Sequence, residues 1–208
     1  MTVDHLVYGV PDVGRAIDDL ERLLGVRASP GGRHPGRGTH NALITLGSER
    51  YLEIIGPDPG QPDFRGTLPF GLNAVRKGRL VTWAAKAPDI ERRIAEARRL
   101  GYDPGDLLPR SREQPDGTVL RWRLSSLGDR HDDWLVPFLI DWGSSRHPST
   151  SAPRGVTLRR LRAAHPDPNA LRKTLKALGV TSDVVIEAGR AARLFAELDS
   201  PHGPVELA

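Results

Sequence analysis

A histidine in the opening extended stretch, His5 of "TVDHLVYGV", and a glutamate in a later one, Glu53 of "YLEIIGP", are side chains of the kind that hold metal ions and move protons. In a strand, His5, Val7 and Gly9 share one face, as do Tyr51, Glu53 and Ile55. The alternate faces, Leu6, Tyr8 and Val10 in the first and Leu52 and Ile54 in the second, are apolar and suit packing on a helix. His5 and Glu53 are therefore expected to point into one concavity, within coordinating or hydrogen-bonding reach of each other. A half-buried Glu53 needs a metal ion, a cation, a donor or water. An imidazole and a carboxylate on adjacent strands suit Zn²⁺, Mn²⁺, Fe²⁺ or Ni²⁺; the alternative is a hydrogen-bonded pair or a wet pocket without metal.

His40 opens "HNALITL", which a short hairpin brings beside the Glu53 strand. It is the candidate third ligand or, failing that, the catalytic base, against the plainer reading of a strand end facing solvent. All four tryptophans fall between residues 83 and 142, so Trp83 and its fellows are candidates for the wall of a small-molecule pocket as well as for core. Arg121 and Arg123 flank Trp122 with one parity. Facing inward they would hold a carboxylate or phosphate; facing outward they are solvated. His147, just beyond the last strand of this region, is a candidate for the cavity mouth, whereas His34 in a Gly-rich loop and His131 in a charged turn are read as solvent-facing.

Composition narrows the chemistry. Zero cysteines exclude disulfides, thiolate nucleophiles and zinc-thiolate sites, so a metal would have to sit on His, Asp or Glu. The net charge of +4 is spread among alternating acids and bases, and only "LRWRL" resembles a basic stripe with an interleaved aromatic, which argues against nucleic acid. There is no apolar run of membrane-spanning length and no leader pattern at the start. A cytoplasmic protein whose partner is a small molecule is expected, without nucleic acid or membrane.

The positioning elements repeat. "VPDVGRAIDDLERLLGV", "APDIERRIAEARRLGY" and "HPDPNALRKTLKALGV" each place Pro-Asp before a helical stripe and Gly near its end, with Pro11, Pro88 and Pro166 spaced by 77 and then 78 residues. Asp supplies an N-cap and Gly the left-handed terminus. A strand precedes each helix, and a Gly/Pro-rich loop with paired strands follows the first two, so the unit is βαβββ. The expected class is α+β, with two tandem βαβββ modules (1–77 and 78–146) forming a cupped mixed sheet within 1–146. The Ser/Pro/Gly-rich "GSSRHPSTSAPRG" then links to a third, shorter βαββ-type module over 155–208 packed alongside.

Tandem βαβββ modules with a first-strand His in "DHLVYGVPD" and a fourth-strand Glu in "YLEIIGP" resemble the vicinal oxygen chelate superfamily. "GTHNALITLGSERYLEIIGPDP" followed by "PFLIDWG" resembles its glyoxalase-like domain proteins. The resemblance covers about residues 2–148. It implies a divalent metal held by His5 and Glu53 with counterparts from the second module, and lyase, isomerase or dioxygenase chemistry by bidentate chelation and proton transfer on a small oxygenated metabolite. It equally admits a metal-free binding protein, and modules that pair across chains in a homodimer. The second module departs from the pattern. Thr82 falls where His5 would recur and Ile140 where Glu53 would, with Asp141 one place out of register, so half of the implied ligand set is missing.

Overall fold

The computed structural model describes residues 1–113, 117–128, 134–180 and 183–208; His131 lies outside them. The first module runs β1 (Val3–Gly9), α1 (Val13–Leu24), β2 (Ser29–His34), β3 (Thr39–Thr45) and β4 (Tyr51–Pro57). The second repeats it as β5 (Arg79–Lys86), α2 (Ile90–Arg99), β6 (Asp106–Glu113), β7 (Val119–Ser126) and β8 (Phe138–Asp141). Local chemistry sets the helix ends. Asp12 accepts from the Arg15 amide, and Gly25 closes α1 at φ 73°, a conformation that costs glycine nothing. Val13, Ala16, Leu20 and Leu24 make the buried stripe of α1, and Ile90, Ile94 and Ala97 that of α2.

The two modules combine into one closed sheet of eight strands in the order β1-β4-β3-β2-β6-β7-β8-β5. β1 and β5 join antiparallel over six register pairs, while β2 meets β6 through the single pair Arg33↔Glu113. The Gly/Pro-rich loops expected after the first two helices prove to contain β2 and β6. "SPGGRH" and "DLLPRSRE" lack alternating hydrophobicity because each forms its strand at the edge of its module, with one side facing the cavity.

The third module has one strand more than its short ending suggested. It comprises β9 (Thr157–His165), α3 (Pro168–Leu178), β10 (Val184–Ala188), β11 (Arg193–Ser200) and β12 (Gly203–Leu207). Its sheet order, β10-β9-β11-β12, differs from the other two: here the strand after the helix pairs parallel with the first strand. Leu161, Ala163, Leu194, Ala196 and Leu198 share one apolar core with Leu6, Trp83 and Ala85 on the outer side of the barrel. The Met1 amino group donates to the Gly179 carbonyl at 2.6 Å, and the Val3 amide and Arg50 both donate to Asp183. Among the described residues no helix is long and apolar enough to cross a membrane.

The segment expected to be a free linker is packed as a strap. Thr45 donates its hydroxyl to the carbonyls of Ser149 and Ala152 and its amide to that of Pro153, and Ala152 packs with Leu43 and Tyr51.

Candidate functional site

The inner faces of β1–β4 and β6–β8, with the loops beside them, line a cavity of about 1100 Å³. Trp122, Trp142, Trp134, Phe70, Phe138 and Tyr51 supply its aromatic walls. Trp122 and Trp142 lie 5.2 Å apart, and Phe70, held in the left-handed region at φ 57°, stacks on Phe138.

A chain of polar groups runs through the wall of this cavity, with His5, Glu53, Asn41 and Arg112 lining it and Asp4 and His147 behind. Asp4 is fully buried, and a bulge between Val3 and His5 in the pairing with β5 turns it toward the cavity side. Its Oδ1 accepts from His5 Nδ1 at 2.8 Å, Trp142 Nε1 donates at 3.2 Å, and His147 Nε2 donates to Oδ2 at 3.2 Å. His147 is held for this by its Nδ1, which accepts from the Ser149 amide. Burial acts to raise the Asp4 pKa, but the bonds from His147 and His5 outweigh it and hold the carboxyl well below the usual range. A carboxylate can only accept, so the His5 proton sits on Nδ1 and its Nε2 is left facing Glu53 Oε2 at 3.8 Å. The His5 ring is pinned by stacking on Tyr51 at 4.5 Å. Glu53, 8% exposed, is fixed from its other side by Asn41 Nδ2, 2.5 Å from Oε1. Asn41 Oδ1 in turn accepts from Arg112 Nη1 at 2.9 Å. Burial, then the negative charges of Glu53 and Asp4, push the Tyr51 phenol well above its ordinary pKa, so it stays neutral.

Gly31 permits the last link. It is the bulge residue between Pro30 and Gly32 in the β2–β3 ladder. A Cβ there would collide with Asn41 Oδ1 and lie 2.8 Å from Arg112 Nη1. Gly31→Ala is expected to lower stability by about 1–3 kcal/mol, measured by denaturant unfolding, because Asn41 and Arg112 can make room for a methyl group only by giving up the hydrogen bond between them.

The structure thus brings His5 and Glu53 together, and disposes the remaining candidates differently. His40 shares its face with Ala42 and Ile44, which pack in the core on the α1 side, while the cavity receives Thr39 and Asn41. As a base or a third ligand His40 is therefore misplaced. Trp83 is fully buried in that same outer core and donates Nε1 to the Leu135 carbonyl, so it is not a cavity wall. Asp141 lies at the cavity rim but is taken by Arg123 at 2.5 Å, which also pairs with Glu91 of α2. Arg121, of the same parity as Arg123, is exposed at that rim. His147 touches the site through Asp4. His34, expected in solvent, lines the cavity; burial chiefly, opposed by Glu53 and aided by Arg112 and Arg37, lowers its pKa to about 4 and keeps it neutral.

The divalent ion implied by the sequence resemblance finds two protein donors, His5 Nε2 and Glu53 Oε2. Among the described residues no group of three or more His, Asp or Glu is placed to hold a metal, and a buried guanidinium stands one side chain away. Resident zinc and non-haem iron sites take three or four protein ligands, so these residues do not fit one of that kind. Asp4, Asn41, Tyr51 and Arg112 are the members of the site that sequence reasoning missed. Tyr51 carried a signal in its parity with Glu53, and Asn41 one in facing away from His40, Ala42 and Ile44; Asp4 and Arg112 carried none.

The chain is 14% identical to the subject of "Crystal Structure of a hypothetical protein from Staphylococcus aureus", covering 92% of this chain and 88% of that one with a TM-score of 0.69. Methylmalonyl-CoA epimerase from Mycobacterium tuberculosis is 17% identical over 68% of this chain and 88% of its own, TM-score 0.45. The Streptomyces coelicolor methylmalonyl-CoA epimerase solved with 2-nitronate-propionyl-CoA is 18% identical over 71% and 99%, TM-score 0.48. Curated proteins give no match. Residues 3–179, through both barrel modules and on to the end of α3, match the family model described as glyoxalase-like domain, and the chain belongs to that family of the vicinal oxygen chelate superfamily.

Proposed function

We propose that this chain is an enzyme that moves a proton on a small oxygenated molecule held in the barrel cavity, with Glu53 as proton acceptor and His5 as its partner. One observation carries the reading: Glu53 Oε2 and His5 Nε2 confront each other at 3.8 Å without a hydrogen bond, inside a cavity large enough for a metabolite. Both are acceptors when Glu53 is ionised and His5 is neutral, so the gap between them attracts a hydrogen from elsewhere. A hydroxyl, or a carbon–hydrogen bond acidified by an adjacent carbonyl, supplies one. Glu53 takes the proton at Oε2 while Asn41 keeps Oε1 aligned. His5 can hold a proton at Nε2 because Asp4, itself held in place by Trp142 and His147, fixes the ring's orientation through Nδ1 and stabilises an imidazolium. The aromatic walls limit water around the exchanged proton. Both modules come from one chain, so one copy supplies every strand of the barrel.

The test is deuterium incorporation from D2O, followed by proton NMR, into a panel of hydroxyketones, 2-oxo acids and 3-oxo esters. Protein-dependent exchange is expected, and it should persist after chelation because no step uses a metal. Exchange that appears only with added Zn²⁺, Mn²⁺, Fe²⁺ or Ni²⁺ and requires His5 would restore the metal-dependent reading. Ligands that quench tryptophan fluorescence without exchanging would instead identify a binding protein, a reading favoured by the tryptophans that line the cavity.

A further inference from the structure

We infer that the molecule bound in the cavity carries a carboxylate, and that Arg112 receives it. Arg112 is 4% exposed, lines the cavity and has a single hydrogen bond, from Nη1 to Asn41. Its Nε and Nη2 are buried and have no partner, and no carboxylate among the described side chains pairs with it. A guanidinium is always charged, and burying it with two donors unused is unfavourable unless an anion arrives to take them. Nε and Nη2 form the side-on edge of the guanidinium, whose parallel N–H bonds match the two oxygens of one carboxylate. Both N–H groups are closed to water, so docking asks for a small rotation of the guanidinium toward the cavity.

Asn41 also sets the ligand's dimensions. Its amide is bonded to Arg112 Nη1 at one end and to Glu53 Oε1 at the other, so one amide group and its two hydrogen bonds, 2.9 and 2.5 Å long, separate the guanidinium from the proton acceptor's carboxylate. A carboxylate with a hydroxyl or an acidic carbon–hydrogen bond a few bonds away spans that interval, and an aromatic or other apolar remainder suits the walls around Trp122 and Phe138. The predicted class is a hydroxy or oxo acid with an apolar body. This deepens the proposed function, and it rests on that reading only for the role of Glu53.

Mandelate and its neutral twin mandelamide share shape, hydroxyl and ring, and differ at the carboxylate. The experiment follows the Arg112 Nε–H signal in proton–nitrogen spectra of the full chain during titration with each, with affinities from tryptophan fluorescence. Mandelate is expected to move the signal and mandelamide to leave it in place. Arg112→Met should weaken mandelate tenfold or more without changing mandelamide, and Arg112→Lys, which keeps the charge but not the fork, should lie between. If circular dichroism shows Arg112→Met unfolded, the Lys variant and the wild-type spectrum carry the test. An unmoved Arg112 signal at saturating mandelate, or equal affinity for acid and amide, overturns the inference. In Glu53→Gln, loss of exchange with the Arg112 shift intact supports both readings, whereas exchange retained with the shift intact removes the proposed proton transfer and leaves the anion site standing.

Discussion

Glu53→Gln is expected to reduce proton exchange by about 10²- to 10⁴-fold, the usual worth of a positioned general base. The folded state should tolerate the change. A glutamine carbonyl can still accept from Asn41 Nδ2, and its amide can turn toward a neutral His5 Nε2 and close the 3.8 Å gap, a bond an ionised carboxylate cannot make to that nitrogen. Ligand affinity, read from quenching of Trp122 and Trp142, should therefore fall far less than turnover. The informative comparison is the exchange rate at saturation against the binding constant. A rate that survives the substitution would show that the base is another group.

Asp4→Ala is expected to cost about 3–5 kcal/mol of folding stability, because it leaves one indole and two imidazole donors pointing at an empty buried site. The loss should depend on pH in a defined direction. The unfolded Asp4 carboxyl takes up its proton near pH 4, and the folded one only at lower pH. Across that window the unfolded chain binds more protons, so the contribution of Asp4 is fully present above about pH 4 and fades as pH falls through the folded value. Denaturant unfolding of wild type and Asp4→Ala should give curves well separated at neutral pH and converging toward acid. Curves separated by the same interval at every pH would mean that the carboxylate charge has no part in holding the two histidines.

The placement of His5 and Glu53 was legible because both sit in regular strands where alternation holds, with apolar partners Leu6 and Ile54 marking the other face. Where the ladder slips, the same rule misleads. Strict alternation sends Asp4 to the side of Leu6, and the bulge between Val3 and His5 sends it to the opposite one. His40 failed for a plainer reason: the strand partner Ala42 was too small to mark its face, although the parity with Ile44 pointed outward. Arg112 lay beyond reach because its strand, "DLLPRSRE", has no period of two. Its role depends on Asn41, 71 residues earlier in the chain. The three Pro-Asp helices, spaced by 77 and then 78 residues, were readable because capping is local chemistry in α1 and α3, where Asp12 and Asp167 accept from the first-turn amides. In α2 the same Pro-Asp pair marks the helix start although Asp89 makes no capping bond. The distinct strand order of the third sheet was not readable, since β9 can pair with either neighbour without altering the element order.

The barrel's two sides of contact are unequal. β1 and β5 are laced along their length, whereas β2 and β6 share one rung, and beside that rung Arg112 reaches over Gly31 to Asn41. The ring therefore behaves as a bracelet with a hinge and a clasp. A ligand gripping Arg112 on one half and Glu53 on the other spans the clasp from within, so part of its binding energy becomes cohesion between the halves. Occupancy is then expected to slow amide hydrogen exchange along Ser29–His34 and Asp106–Glu113 more than along the hinge strands, which are already fastened.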